Sequence, residues 1–348
     1  MTKLQLNKLK QAIKNLAKQS AKSFLRFKKQ LTSSKSPLNK KNFVNLIKLL
    51  AERWRVFSLV LIAFISIYYG LGAAISSEIK NHLNQELKIT APTQKHLPSA
   101  IIHVLKTQIV DSPWTPSLPA IFPASILDNM PSFQKGAKDS ANFFIKKLAA
   151  RHADKNLKEA SQLLDYPSDI WLFSRIKEDK LAPGSAKQYR KAIDKIAEFN
   201  TAPAVPAITP TQDFLYFTKA VISRLNRHIS HLGKHIREHN AELLDFKADD
   251  IFYQTQGEIY TLHYILSALA KDYKEEVIKA EQYENITAAL SFLELAEMLD
   301  PLAVKNASPN DVFEANHLLY LAYYLSEAQS RLKTVYYKTK LKSMKANP

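Results

Sequence analysis

The chain has 348 residues, with 49 Lys and Arg against 32 Asp and Glu, no Cys and six Gly. The lack of Cys excludes a disulfide scaffold, Cys-ligated zinc or iron–sulfur, and a thiol nucleophile. Six Gly argue against phosphate-binding Gly loops and hairpin arrays, and 46% hydrophobic residues argue against wholesale disorder.

The net charge of +17 invites a nucleic-acid reading, but its distribution does not. Residues 1–55 hold 15 Lys and Arg and a single acid, Glu52, for a net of +14, and the other 293 residues stand at +3. Within that first segment Leu6, Leu9, Ile13, Leu16, Phe24, Phe27 and Leu31 recur at helical spacing. The opposite face carries Lys8, Lys14, Lys18 and Lys22. This pattern predicts a basic amphipathic helix on anionic lipid, with a solvated basic tail as the alternative. No aromatic–basic groove accompanies the charge, so nucleic acid is not the expected partner.

Val56 to Ile75 is a run of 20 residues without a charge, the length of a helix that crosses about 30 Å of hydrocarbon. Lys48, Arg53 and Arg55 precede it and Trp54 sits at the expected interface. These flanks predict a signal-anchor with the N-terminus in the cytoplasm and 77–348 outside. The division is then a basic segment 1–55, a span 56–76 and an exterior domain 77–348. Gly70, Gly72, Ala73 and Ala74 would let a partner helix approach.

The exterior part shows helical periodicity and no sustained alternation, which predicts an all-α bundle. Helices are expected over 99–110, 132–152, 185–199, 211–240, 251–272, 283–299 and from 308 to about 342. A Pro-rich run from Ser112 to Pro131 should pack on the body through Trp114 and Phe122. Residues 200–210, with three Pro, are either a subdomain linker or a crossover in one bundle. Expected caps are Thr211, then Asp249 or Asp250, and Ser308 followed by Pro309. Leu318–Leu325 reads as a central core helix, or as a partner surface if exposed.

The most pointed chemical signal is His228, His231, His235 and His239, which fall within an arc of about 80° on one helix. Imidazoles one turn apart can share Zn, Ni or Cu. The competing reading is a row of boundary residues beside the apolar face of Phe214, Phe217, Val221, Leu225, Ile229, Leu232 and Ile236. A pH-responsive face is a third reading. His235-Ile236-Arg237-Glu238-His239 spells the inverted zinc-protease motif, with Glu314 available downstream, but the strands and Gly of such enzymes are missing. Other catalytic signatures do not occur: there is no H-E-x-x-H, G-x-S-x-G or Walker A string. Asp249-Asp250 reads as a helix start before it reads as an acid–base pair.

Three strings, Asp128-Asn129-Met130-Pro131-Ser132, Asp249-Asp250-Ile251-Phe252-Tyr253 and Ala315-Asn316-His317, together with one N-terminal span, give the chain a likeness from the span to near residue 340. It resembles the uncharacterised bacterial family known as domain of unknown function 2333. The resemblance implies a Gram-negative inner-membrane protein with a periplasmic domain. It implies no reaction and no catalytic residue, and residues 1–40 and the His stripe are not part of it. The expected function is a non-catalytic envelope scaffold or interaction module without a cofactor. The alternative is a metal-dependent periplasmic hydrolase or metal-binding protein using the His228–His239 stripe. A sensor is disfavoured because the cytoplasmic part is too short for an output domain.

Overall fold

The computed structural model describes residues 11, 53–54, 56–70, 72, 83, 95–119, 121–125, 129–175, 181–202, 209–239, 245–308, 311 and 314–346. The expected lipid-facing residues Lys8, Lys14, Lys18 and Lys22, and Ile75 at the end of the apolar run, lie outside these. The chain divides into two units, residues 1–66 and 67–348. Residues 56–70 are one unbroken helical run, with Val56, Phe57, Leu59, Ile62 and Phe64 exposed. Among the described residues no helix is long and apolar enough to cross a membrane. The fifteen described in this run rise about 22 Å, short of the roughly 30 Å of hydrocarbon.

The second unit is helical, as its periodicity predicts. In chain order the helices are α1 (His96–Ile109), α2 (Asn129–His152), α3 (Lys155–Leu164), α4 (Ser185–Thr201), α5 (Pro210–His239), α6 (Phe246–Asp272), α7 (Lys274–Lys279), α8 (Tyr283–Glu297) and α9 (His317–Ala346). A short antiparallel ribbon, β1 (Phe173–Arg175) and β2 (Leu181–Pro183), joins α3 to α4. The central element is α6, which packs on α1, α2, α5, α8 and α9. Phe252, Ile259, Tyr260, Leu262, Ile265, Leu266 and Leu269 are all buried, the all-round burial expected of an interior helix. Helices on both sides of residues 200–210 contribute to this one core. The carboxamide of Asn200 fastens the start of that crossover, accepting from the Lys95 N–H (3.1 Å) and donating to the Ser99 hydroxyl (2.9 Å).

Two glycines set how closely α2 and α6 approach. A Cβ on Gly136 would lie 2.0 Å from the Gln254 carbonyl oxygen, and one on Gly257 would lie 1.9 Å from that of Phe133. The backbones therefore touch, and the Thr261 hydroxyl donates across the crossing to the Ala137 carbonyl (3.1 Å). This crossing also joins the first two strings of the family resemblance: the Ser132 hydroxyl donates to Asp250 (2.8 Å). The Pro-rich run is pinned from α2. Gln134 accepts from the Thr115 N–H and hydroxyl and donates to the Gln108 and Pro113 carbonyls, all at 2.7–2.9 Å. Trp114 is buried against Tyr189, with its indole N–H on the Ser168 carbonyl (2.8 Å), and Phe122 packs edge-on against Trp171.

Three expected caps are corrected. Thr209 rather than Thr211 precedes α5, accepting from the Asp213 N–H at its carbonyl (3.1 Å), with Pro210 as the first helical residue. Asp245, not Asp249 or Asp250, caps α6 by accepting from the Ala248 N–H (3.0 Å). Asn316 caps α9 by accepting from the Leu319 N–H (2.8 Å), so that helix begins nine residues after Ser308. Leu318–Leu325 is buried on one side and open on the other: Leu318, Leu321 and Leu325 are buried, while Leu319, Tyr320 and Tyr323 are exposed.

Candidate functional site

The apolar face of α5 forms largely as its spacing predicts: Phe214, Phe217, Val221, Leu225, Leu232 and Ile236 are buried, and Ile229 is half-buried against the core. The His row runs beside it and separates into two clusters rather than one. His228, buried, places Nε2 against Glu258 of α6. The same carboxylate takes a bidentate grip from Arg224, Nε at 2.6 Å and a terminal nitrogen at 2.9 Å. Arg224 lies over the Phe143 ring, 5.2 Å from its centroid. All three ionisable groups are almost fully enclosed, so this is a desolvated interhelical clamp.

The second cluster lies two turns further along. His235 Nε2 is 2.7 Å from Asp245 Oδ2, and its ring stacks on His239 with centroids 4.6 Å apart. The Asn306 amide donates to Asp245 (3.3 Å) and to the His239 carbonyl (3.2 Å). Asn316 donates to Asn306 (2.9 Å) and to the Ala307 carbonyl (2.6 Å). Burial alone would raise the Asp245 pKa, but hydrogen bonds from His235, Asn306 and the Ala248 N–H together hold it below the ordinary carboxylate value. His317, beside this network, accepts from the Lys305 N–H at Nδ1 (2.9 Å), and burial lowers its pKa.

His228 and His235 are seven residues apart, about 10 Å along the axis, and each is directed at its own carboxylate. His231 lies on the exposed side, its pKa lowered by partial desolvation and then by the neighbouring His228, His235, Arg227 and Lys234. Among the described residues no group of three or more His, Asp and Glu side chains is placed to hold a metal ion. The protease-like string comes apart in the same way. Glu238 faces Lys234 (4.0 Å) and Glu314 pairs with Lys305 (3.2 Å). Of Asp249-Asp250, Asp250 takes the Ser132 hydroxyl (2.8 Å).

No local spacing groups Asp245, Asn306 and Asn316, or Glu258 of the other cluster, because they come from four separate places in the chain. Asn316 alone carried a signal, within the Ala-Asn-His string. A further buried imidazole, His263 of α6, has its pKa pushed down to about 4 by desolvation, and its Nδ1 is buried without a hydrogen-bond partner. Comparison with family models, curated proteins and solved structures gives no match to this chain.

Proposed function

We propose that the chain is a single-pass inner-membrane protein of a Gram-negative bacterium whose periplasmic helical domain is a non-catalytic scaffold for other envelope proteins. In this reading residues 1–55 lie on the cytoplasmic face, with their lysines on anionic lipid, and 56–76 cross the bilayer. Residues 77–348 form the exterior domain. The helical run 56–70, with its apolar side chains outward, supports the anchor, because such a surface is costly to leave in water. The concentration of positive charge in residues 1–55, just before the apolar run, supports the same placement.

The observation that carries the scaffold reading is where the two kinds of side chain lie. The buried His and carboxylates of α5 and α6 bond to one another across helix interfaces, while large apolar residues of α9, including Leu319, Tyr320 and Tyr323, face outward. Exposed Tyr and Leu on a rigid helix suit protein recognition. The test is photo-crosslinking from intact cells, with a benzophenone amino acid at Tyr323 and a control at exposed Lys187 of α4. Discrete adducts at 323 and none at 187 are expected. If residues 319, 320 and 323 all give none, the scaffold reading fails.

A further inference from the structure

The formal charge of the chain outside its basic N-terminal segment conceals a second segregation. Residues 56–330 carry a net −3, and residues 331–348 carry six Lys and Arg and no acid. Those six cations lie along the last four turns of α9, a 30-residue helix. Its inner face is fixed by Leu325, Ala328, Leu332 and Val335, all fully buried. Projected at 100° per residue, Tyr337, Leu341 and Met344 fall within an arc of about 60° directly opposite that inner face. All three are exposed, at 61%, 59% and 63%. Lys333 and Lys340 lie on one side of this stripe, and Lys338 and Lys345 on the other, each within about 100° of its centre. From neighbouring elements Glu281 pairs with Lys342 (2.9 Å), on the flank away from the stripe, and also feels the charge of Lys338, while Glu276 lines the same cleft as Lys342.

An exposed apolar stripe with cations on both flanks is the pattern of a helix lying in a lipid interface. The apolar side chains enter the acyl boundary while the lysine stems run along it and carry their ammonium groups up to phosphates. A protein partner would call for hydrogen-bond complements and acidic contacts on both flanks. A bilayer with anionic headgroups supplies charge on both sides without such matching. The basic, Tyr-containing end contrasts with the earlier part of the same exposed face, Leu319 to Glu327, which has no Lys or Arg.

We infer that the C-terminal half of α9 docks on an anionic phospholipid surface through Tyr337, Leu341 and Met344, flanked by Lys333, Lys338, Lys340 and Lys345. The inference rests on the anchored reading only in that the anchor keeps the domain beside a bilayer and raises its effective concentration there.

The chain has no Cys, so Leu341→Cys gives a single attachment point for an environment-sensitive fluorophore in the full-length protein, and Ile62→Cys gives an independent one in the apolar run. Both are reconstituted in nanodiscs of phosphatidylcholine alone and of phosphatidylcholine with phosphatidylglycerol at roughly 7:3. At position 341, phosphatidylglycerol is expected to slow quenching by a neutral aqueous quencher about fivefold and to introduce quenching by lipid-borne nitroxides. Lys338→Glu with Lys340→Glu, or salt near 1 M, where the Debye length is about 3 Å, should abolish the difference. Equal aqueous quenching in the two disc types overturns the inference. So does protection in lipid-free detergent that grows with protein concentration, which would identify a second copy as the occupant. A label at 62 quenched by lipid nitroxides while 341 is not leaves the anchor standing and the docking refuted. The converse leaves the docking standing and refutes the anchor.

Discussion

Gly257→Ala tests the account of the core at its tightest point. The new methyl would lie 1.9 Å from the Phe133 carbonyl oxygen, 2.8 Å from its carbon and 2.9 Å from the Ala137 nitrogen. A methyl carbon and a carbonyl oxygen meet at about 3.3 Å, so α2 and α6 must separate locally by more than 1 Å. A gap of about that size forfeits a quarter to a half of the dispersion attraction of each facing atom pair. It also stretches the Thr261 bond to the Ala137 carbonyl. Overpacking against backbone rather than a flexible side chain sits at or just above the top of the usual range, about 3 kcal/mol or somewhat more, and the better helix propensity of Ala returns about 1 kcal/mol. The net loss of about 2–3 kcal/mol should lower the melting temperature by about 5–10 °C for a domain of this size. The control is Gly233→Ala on α5, where the nearest atom to a Cβ is an Arg237 terminal nitrogen at 3.4 Å. There the same substitution should stabilise by about 0.5–1 kcal/mol. Thermal melts of the purified full-length chain, followed by far-ultraviolet circular dichroism, measure both. If Gly257→Ala melts at or above the parent, the backbone contact between α2 and α6 is not what positions these helices.

Other substitutions separate the roles of the buried polar groups. Glu258→Gln leaves Arg224 enclosed with no formal counter-charge and should cost about 3–5 kcal/mol in a urea titration. Replacing Arg224 and Glu258 together by Met should cost much less. Asp245→Ala removes the α6 cap and the acceptor for His235 and Asn306, a loss of about 2–3 kcal/mol. Added zinc should not restore it, because His235 and Asn306 bond directly to the Asp245 carboxylate. His263 is buried neutral, with its folded pKa of about 4 below the unfolded value of about 6.5. The unfolded chain therefore binds the proton first as pH falls. The stability present above about pH 6.5 drains away toward pH 4 by about 3 kcal/mol, and His263→Leu should flatten that slope in unfolding curves taken across this range.

Much of the helix pattern was legible in the sequence because long apolar periodicities report directly on buried faces. The short elements were not. Lys155–Leu164 has its cap, Asp154, and its apolar positions Leu157, Ala160 and Leu164, but ten residues give periodicity little room. Strands of three residues give alternation none. Caps failed for a different reason. Asp245, Asp249 and Asp250 are equivalent as local capping chemistry, and the choice among them is made by tertiary partners: His235 and Asn306 engage Asp245, and Ser132 engages Asp250. The scarcity of Gly was informative beyond what composition alone could reveal. Of the four glycines after residue 72, Gly136, Gly184 and Gly257 each sit where a Cβ would lie within 2.1 Å of a carbonyl oxygen.

The His row shows why spacing located the residues and missed their purpose. Periodicity places four imidazoles on one arc but says nothing about what faces them. In the fold α5 and α6 are consecutive helices, with His228 against Glu258 of α6 and His235 against Asp245 at its cap. The two pairs are seven residues apart on α5 but 13 residues apart on the α6 side, so they tie the two helices together at two separated points where apolar packing alone leaves their alignment loosely specified. Sliding α5 by one turn would bury Glu258 and Asp245 without their partners, at a cost of several kcal/mol for an uncompensated charge, whereas the Phe, Val and Leu of the same face would find comparable neighbours. His suits this place because its ring extends the apolar face while its nitrogen reaches a carboxylate one helix away. Of the His row, His228 and His235 therefore help to hold the central helix against its neighbour.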